Sequence, residues 1–228
     1  MKEYEDLTII TPTLNEEKNI LELIPALRRL YKGATIIVAD DGSKDSTRKI
    51  VKEYSKKDKK VILLDRSKER IKGLTASALD GVKITKTPYL IIMDSDLQHP
   101  PKKVGEIYRK IKAGYDIVIG TRERVEGEWG FYRKLMSKIA TCLARIRLLR
   151  YVKDPMSGFF GTRTAFFHEK LVKKEHRFVK EGFKILFDLL KVSPFAKICK
   201  VYYVFDLRKS GESKIGKKAI KGFLKSLI

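Results

Sequence analysis

The chain has 228 residues, 43% of them hydrophobic, which suits one large domain with a full core and excludes wholesale disorder. Its 50 Lys and Arg against 28 Asp and Glu give a formal charge of +22, pointing to nucleic acid, an anionic membrane surface or phosphorylated substrates. Two cysteines, Cys142 and Cys199, show no metal-ligand or disulfide spacing and fit a reducing compartment.

The N-terminal MKEYEDLTIITP carries no secretion signal, and no apolar run approaches the roughly 18 residues of a spanning helix. A soluble or peripheral chain is expected, with membrane helices beyond the apolar-tinged GFLKSLI left open. One glutamine and two asparagines among so many charges suggest a thermophilic source.

Leu7–Thr11 reads as a strand closed by Pro12, followed by a helix from Asn15-Glu16-Glu17 to about Tyr31 with Ile20, Leu23, Ile24, Leu27 and Leu30 at helical spacing. Thr35–Ala39 is a second strand running into Asp40-Asp41-Gly42-Ser43, after which Asp45 or Ser46 caps a helix. Val61–Leu64 is a third strand, and LTASALDGVKI after Gly73 a small-residue helix suited to close packing on a sheet. Tyr89–Met93 is an apolar central strand, then come a helix from Pro100 to about Ala113 and a strand at Asp116–Gly120. This alternation argues for a parallel sheet with right-handed crossovers and no internal repeat.

Beyond Arg122 the pattern changes. A polar loop, RERVEGEWG, precedes a long helix from Phe131 to Arg150, with Leu135, Ile139, Leu143, Ile146 and Leu149 on one side and strong positive charge elsewhere. The apolar stripe is most simply the face packed on the domain, while the basic residues suit an anionic bilayer. DPMSGFFGTRTAF reads as a loop feeding a short strand, EGFKILFDLLKV as an amphipathic helix, and Ala196–Asp206 as a final strand. RKSGESKIG is a basic loop and Lys217–Ile228 a last helix.

Two strand ends carry acids, Asp40-Asp41 and Asp94/Asp96, and in a parallel sheet both meet one rim. Asp94 and Asp96 with the Gln98 amide offer hard oxygen ligands to Mg²⁺ or Mn²⁺, which would hold a diphosphate. The alternative is that Asp96 or a neighbour caps the helix after Pro100-Pro101, and that Asp41, Ser43 or Asp45 cap the helix after the second strand.

PTLNEEKNI, ADDGSKDST, MDSDLQHPP, GTRE, FYRKLMSK, DPMSGFF and SGESK stand in the order found in family 2 glycosyltransferases. The chain resembles their polyprenyl-phosphate branch over nearly its whole length. Leu14 stands where an aromatic is common, and RERVEGE replaces a more Gly-rich loop; both departures bear on sugar and base preference.

The resemblance implies an α/β GT-A (Rossmann-like) fold, a mostly parallel central sheet with helices on both faces. It implies one catalytic domain over 1–228, with 1–122 as nucleotide-binding half and 123–228 as acceptor- and membrane-facing half. Pro12, Leu14, Glu16, Ala39 and Asp41 would line the nucleotide pocket, Asp94 and Ser95 would contact the donor, and Asp96 and Gln98 would ligate Mg²⁺ or Mn²⁺. Arg122, Arg133 and Ser137 would receive the lipid phosphate, and Lys184, Arg208 and Lys214 would clamp the donor. Asp94, Asp96, Arg122, Arg133 and Ser137 form the implied catalytic set. The implied reaction transfers mannose from GDP-mannose to dolichyl (polyprenyl) phosphate with inversion, at the cytoplasmic face of the membrane.

The chemistry is consistent. A phosphomonoester has a second pKa near 6 and attacks without a strong base, so His99, His168 and His176 are expected to be structural or surface residues. A UDP-sugar donor is the nearest alternative. Nucleic-acid binding rests on charge alone, without a recognition motif, and is not expected.

Overall fold

A computed structural model describes residues 3–125, 131–182, 184–205 and 226; of 124, 125 and 131–138 it describes the backbone alone. The first half contains β1 (Leu7–Thr13), α1 (Glu17–Leu30), β2 (Thr35–Asp40), α2 (Thr47–Lys57), β3 (Val61–Asp65) and α3 (Leu74–Ile84). Next come β4 (Tyr89–Ile92), a 3₁₀ turn at Pro101–Lys103, α4 (Val104–Lys112) and β5 (Ile117–Val125). The second half adds α5 (Phe131–Leu148), β6 (Phe160–Arg163), α6 (Thr164–Lys174), α7 (Ile185–Lys191) and β7 (Ile198–Phe205). No helix among the described residues is long and apolar enough to cross a membrane.

The strands form one sheet in the order β3-β2-β1-β4-β6-β5-β7. All pairings are parallel except those of β6, which runs antiparallel to both β4 and β5. Neighbouring strand residues point to opposite faces. Ile10, Ile37 and Ile92 therefore meet α3, α5, α6 and α7 on one side, while Ile9, Ile36 and Ile91 meet α1, α2 and α4 on the other. That double burial is why these strands read as continuous apolar runs. The small-residue face of α3 has a steric cause: a Cβ on Gly81 would lie 2.6 Å from Ile10 Cγ2.

Three expectations need correction. The DPMSGFFGTRTAF stretch, expected to be a loop feeding a short strand, is so only as far as Arg163; its last three residues open the helix α6, Thr164–Lys174. It starts directly from β6 without a side-chain cap, so no capping signal announces it. The EGFKILFDLLKV helix is not amphipathic. Among its described residues the helix is confined to Ile185–Lys191, and every residue from Ile185 to Leu190 is buried, including Asp188, which pairs with Lys191 Nζ at 3.2 Å and accepts from Val179 N at 3.0 Å. The third correction concerns α5. Among the α5 residues whose side chains are described, Ala144 and Leu148 are buried in the core with Ala140 packed against it, while Ile139, Leu143 and Ile146 are exposed. At its end Leu149 takes a left-handed conformation, φ 50°, and the chain turns off the helix.

Candidate active site

Strand order reverses between β1 and β4, and ligands of open α/β sheets bind at the carboxyl ends flanking such a point. After β4, Met93 N still donates to Ile10 O at 3.1 Å, and the chain then leaves the sheet at Asp94. Ser95 Oγ donates to Pro12 O at 3.3 Å, fastening this turn to β1. Asp96 Oδ1 accepts from Gln98 N at 3.2 Å, and Leu97 between them has φ 63°. A leucine in the left-handed region carries strain of order 1 kcal/mol, a feature that clusters at functional turns. Asp96 caps no helix: the following 3₁₀ turn and α4 begin without a side-chain cap.

His99 supports this turn from below. Its Nδ1 accepts from Asp94 N at 3.1 Å, and its ring stacks on Phe159 at 5.2 Å with Tyr203 and Phe205 edge-on. Burial holds its pKa down to about 4, against the pull of Asp96, so the ring is neutral at pH 7. An unfolded histidine titrates near 6.5, so between those values the unfolded chain binds a proton that the folded chain does not. Stability is therefore expected to fall by about 3 kcal/mol as pH drops through that window. Urea denaturation in metal-free buffer measures it, and His99→Asn, which keeps a δ acceptor, flattens the slope.

The lone antiparallel strand brings the next residues in. Because β6 runs against its neighbours, the segment 154–159 preceding it lies at the rim where β4 ends. Asp154 forms a two-pronged ion pair with Arg122, Oδ2 to Nε at 2.7 Å and Oδ1 to Nη2 at 3.0 Å. Fixed planar pairs of this kind orient the guanidinium. Ser157 Oγ donates to Gly120 O at 2.7 Å, and Gly158 lies directly against Asp94: a Cβ there would be 2.7 Å from Oδ2 and 2.8 Å from Oδ1. Gly158→Ala is expected to displace the Asp94 carboxylate and lower kcat about 10–100-fold with little change in melting temperature, as displacements near 1 Å do. A transfer assay beside a thermal melt checks this.

Lys184 reaches the same neighbourhood. Burial, and then repulsion from Arg122, lower its pKa to about 7, while Asp154 and Asp94 oppose the shift. An arriving anion would restore its full charge.

On the β2 side, Asp40 is fully buried and organises the loop, accepting from Gly42 N at 3.0 Å, Ser43 N at 2.9 Å and Ser43 Oγ. Asp45 Oδ1 accepts from Thr47 N at 3.0 Å and so caps α2, while Ser46 makes no side-chain cap. The loop is laced to the start of α1: Ser43 Oγ accepts from Asn15 N at 2.8 Å and Thr47 Oγ1 from Glu16 N at 3.0 Å. Glu16 in turn accepts from Asn19 Nδ2. Asp41 holds Arg66 with one oxygen and accepts from Gly73 N at 2.7 Å with the other. Burial raises its pKa, opposed by these two partners.

Of the expected site residues, Pro12, Leu14, Glu16, Ala39, Asp41, Asp94, Ser95, Asp96, Gln98, Arg122 and Lys184 gather along this rim. Arg133 and Ser137 lie in the first two turns of α5, where only the backbone is described, and Arg208 and Lys214 lie outside the described residues. Sequence reasoning missed Arg66, Asp154 and Gly158, while His99 has the structural role expected of it. The DPMSGFF motif was the available signal for Asp154 and Gly158.

The sequence profile of Glycosyl transferase family 2 matches residues 8–184. A dolichol-phosphate mannosyltransferase from Pyrococcus furiosus is 37% identical over 97% of this chain, which spans 62% of that relative's length. A Saccharomyces cerevisiae protein of the same name is 30% identical, with 97% of this chain and 85% of the relative covered. The solved structure of Mycobacterium tuberculosis glucosyl-3-phosphoglycerate synthase in complex with Mn²⁺, UDP-glucose and phosphoglyceric acid superposes with a TM-score of 0.67. That match is 20% identical and covers 97% of this chain and 78% of the other, a likeness of fold. With acids at the switch point, an arginine clamped beside them and a profile spanning most of its length, this chain belongs to glycosyl transferase family 2.

Proposed function

We propose that this chain is a divalent-cation-dependent, inverting mannosyltransferase that moves mannose from GDP-mannose to a polyprenyl (dolichyl) phosphate at the cytoplasmic membrane face. The observation that carries the reading is the Asp94–Asp96–Gln98 turn facing the Asp154-clamped Arg122. The name dolichol-phosphate mannosyltransferase, borne by three relatives, supports mannose as the sugar and a dolichyl phosphate as the acceptor.

The residues fit a cation such as Mg²⁺ or Mn²⁺. Asp96 and the Gln98 amide offer hard oxygens, and no cluster of three or more His, Cys, Asp or Glu among the described residues forms a closed cage. Two protein ligands with the remainder from diphosphate and water is a common arrangement for Mg²⁺. When bound, such an ion neutralises the diphosphate and eases departure of the nucleotide.

The protein's own groups do the rest. Residues 1–122 hold the nucleotide along the β1 and β2 ends, with Pro12, Leu14, Glu16, Ala39 and Asp41 lining it. Asp94 and Ser95 orient the sugar, Lys184 with Arg208 and Lys214 holds the donor phosphates, and residues 123–228 admit the acceptor. Its phosphate, largely dianionic at pH 7, is received by Arg122, Arg133 and Ser137. One phosphate oxygen bonds to the anomeric carbon as the bond to the diphosphate oxygen breaks, and no proton needs removing. His99 takes no part, since its Nδ1 is committed to Asp94 N. Asp154 sets the Arg122 guanidinium in advance, so little reorganisation accompanies transfer.

Transfer of labelled mannose from GDP-mannose to a short polyprenyl phosphate is expected with Mg²⁺ or Mn²⁺ and abolished by EDTA. Isothermal titration is expected to show GDP binding more tightly than UDP; the reverse order would overturn the donor assignment.

A further inference from the structure

Two stretches of the chain contain no acid: 131–153, with seven basic residues, and 189–205, with three. The fold brings them together. Arg150 donates to Pro194 O at 3.0 Å and Ala196 O at 3.1 Å, Lys200 lies over the Tyr151 ring at 5.5 Å, and Lys153 over Tyr202 at 4.7 Å. At this junction large apolar side chains stand in water: Leu149 is 93% exposed, Phe195 96% and Tyr151 69%. The left-handed backbone of Leu149 is what turns the chain outward here. Arg145 then ties the strap back, donating to Val152 O at 3.0 Å and Lys153 O at 3.1 Å, one residue before Asp154.

We propose that Leu149, Tyr151 and Phe195 form an anchor that inserts into the headgroup region of an anionic bilayer, while Arg147, Lys153 and Lys200 meet lipid phosphates. The inference deepens the reading of a membrane-borne acceptor and rests on it only for its biological setting. Aliphatic and aromatic side chains flanked by Arg and Lys, on two stretches that carry no acid of their own, match the interfacial zone, which supplies apolar depth and negative charge together. A protein partner would need an apolar face and a facing set of acids; a bilayer provides both by composition. Because the strap leads straight into Asp154, seating the anchor also fixes how Arg122 faces the membrane.

Cosedimentation of the chain with vesicles of equimolar phosphatidylglycerol and phosphatidylcholine tests this. The double variant Leu149→Glu/Phe195→Glu is expected to lower partitioning at least about tenfold, and wild type to bind pure phosphatidylcholine much more weakly. Val172→Glu, an equally solvent-facing site on α6 at 86% exposure, is expected to bind as wild type. Turnover of the double variant on a detergent-soluble short acceptor is expected within about twofold of wild type, since neither side chain touches the site. Unchanged vesicle binding by the double variant, an equal loss in Val172→Glu, or loss of a dimer in place of vesicle binding would overturn the anchor. Absence of turnover in every form, with the vesicle result intact, would remove the proposed reaction and leave the anchor standing.

Discussion

Asp96→Ala is expected to lower mannosyl transfer by about a thousandfold or more while the protein stays folded. Asp96 is the carboxylate assigned to the cation, and its hydrogen bond from Gln98 N, at 3.2 Å, is long. Losing that bond costs about 1 kcal/mol, or roughly 2–4 °C in a domain of this size. The cation deficit should be shared with chelation. EDTA is expected to bring wild type down to the level of the variant and to change the variant little further. GDP affinity measured in EDTA should be similar for both. A variant with near-normal turnover, or one whose residual activity still falls steeply with EDTA, would place the cation elsewhere.

Arg66→Met is expected to be the most destabilising single change in the nucleotide half. Arg66 is buried and holds four groups: Asp41, Asp80 Oδ2 at 2.8 Å, Ser77 Oγ at 2.9 Å and Ile71 O at 2.9 Å. It thereby joins the ends of β2 and β3 to α3. Methionine fills much of the volume and leaves the nearly buried Asp41 without its cation, a loss of about 3–5 kcal/mol for a broken buried pair. Adding Asp41→Asn should recover part of that, because no uncompensated charge remains. Urea denaturation of Arg66→Met, Asp41→Asn and the double variant measures the coupling; additive losses would mean that the pair is not the source.

The first 120 residues were readable because each βα unit carries its own local signals: a short apolar run, a polar break, then helical spacing. Ile36–Ala39 and Ile91–Met93 needed no partner to be recognised. The second half defeats local reading for three reasons. The periodic stripe of α5 marks an apolar face but not what it faces, and the core takes Ala144 and Leu148 in preference to Ile139 and Leu143. Asp188 looks like the polar side of a helix, yet it is buried with Lys191. And α6 begins at Thr164 with no cap to announce it. The site divides the same way. Asp94, Asp96 and Gln98 are conspicuous because they sit together in sequence. Arg66 and Asp154 acquire meaning from Asp41 and Arg122, 25 and 32 residues away, and no spacing rule reaches that far.

The placement of β6 also sets an order of assembly. A growing chain that has reached residue 92 already contains β3, β2, β1 and β4, which are neighbours in the sheet and are joined by short crossovers. The outer edge of β4 then stays unpaired until Phe160–Arg163 arrives some seventy residues later, with Gly161 opposite Ile91. Distant pairings of this kind form slowly, and an open strand edge is where foreign chains pair in the meantime. Synthesis of this protein therefore passes through a half-sheet with an adhesive border, and its demand on chaperones is expected to be greatest between those two lengths.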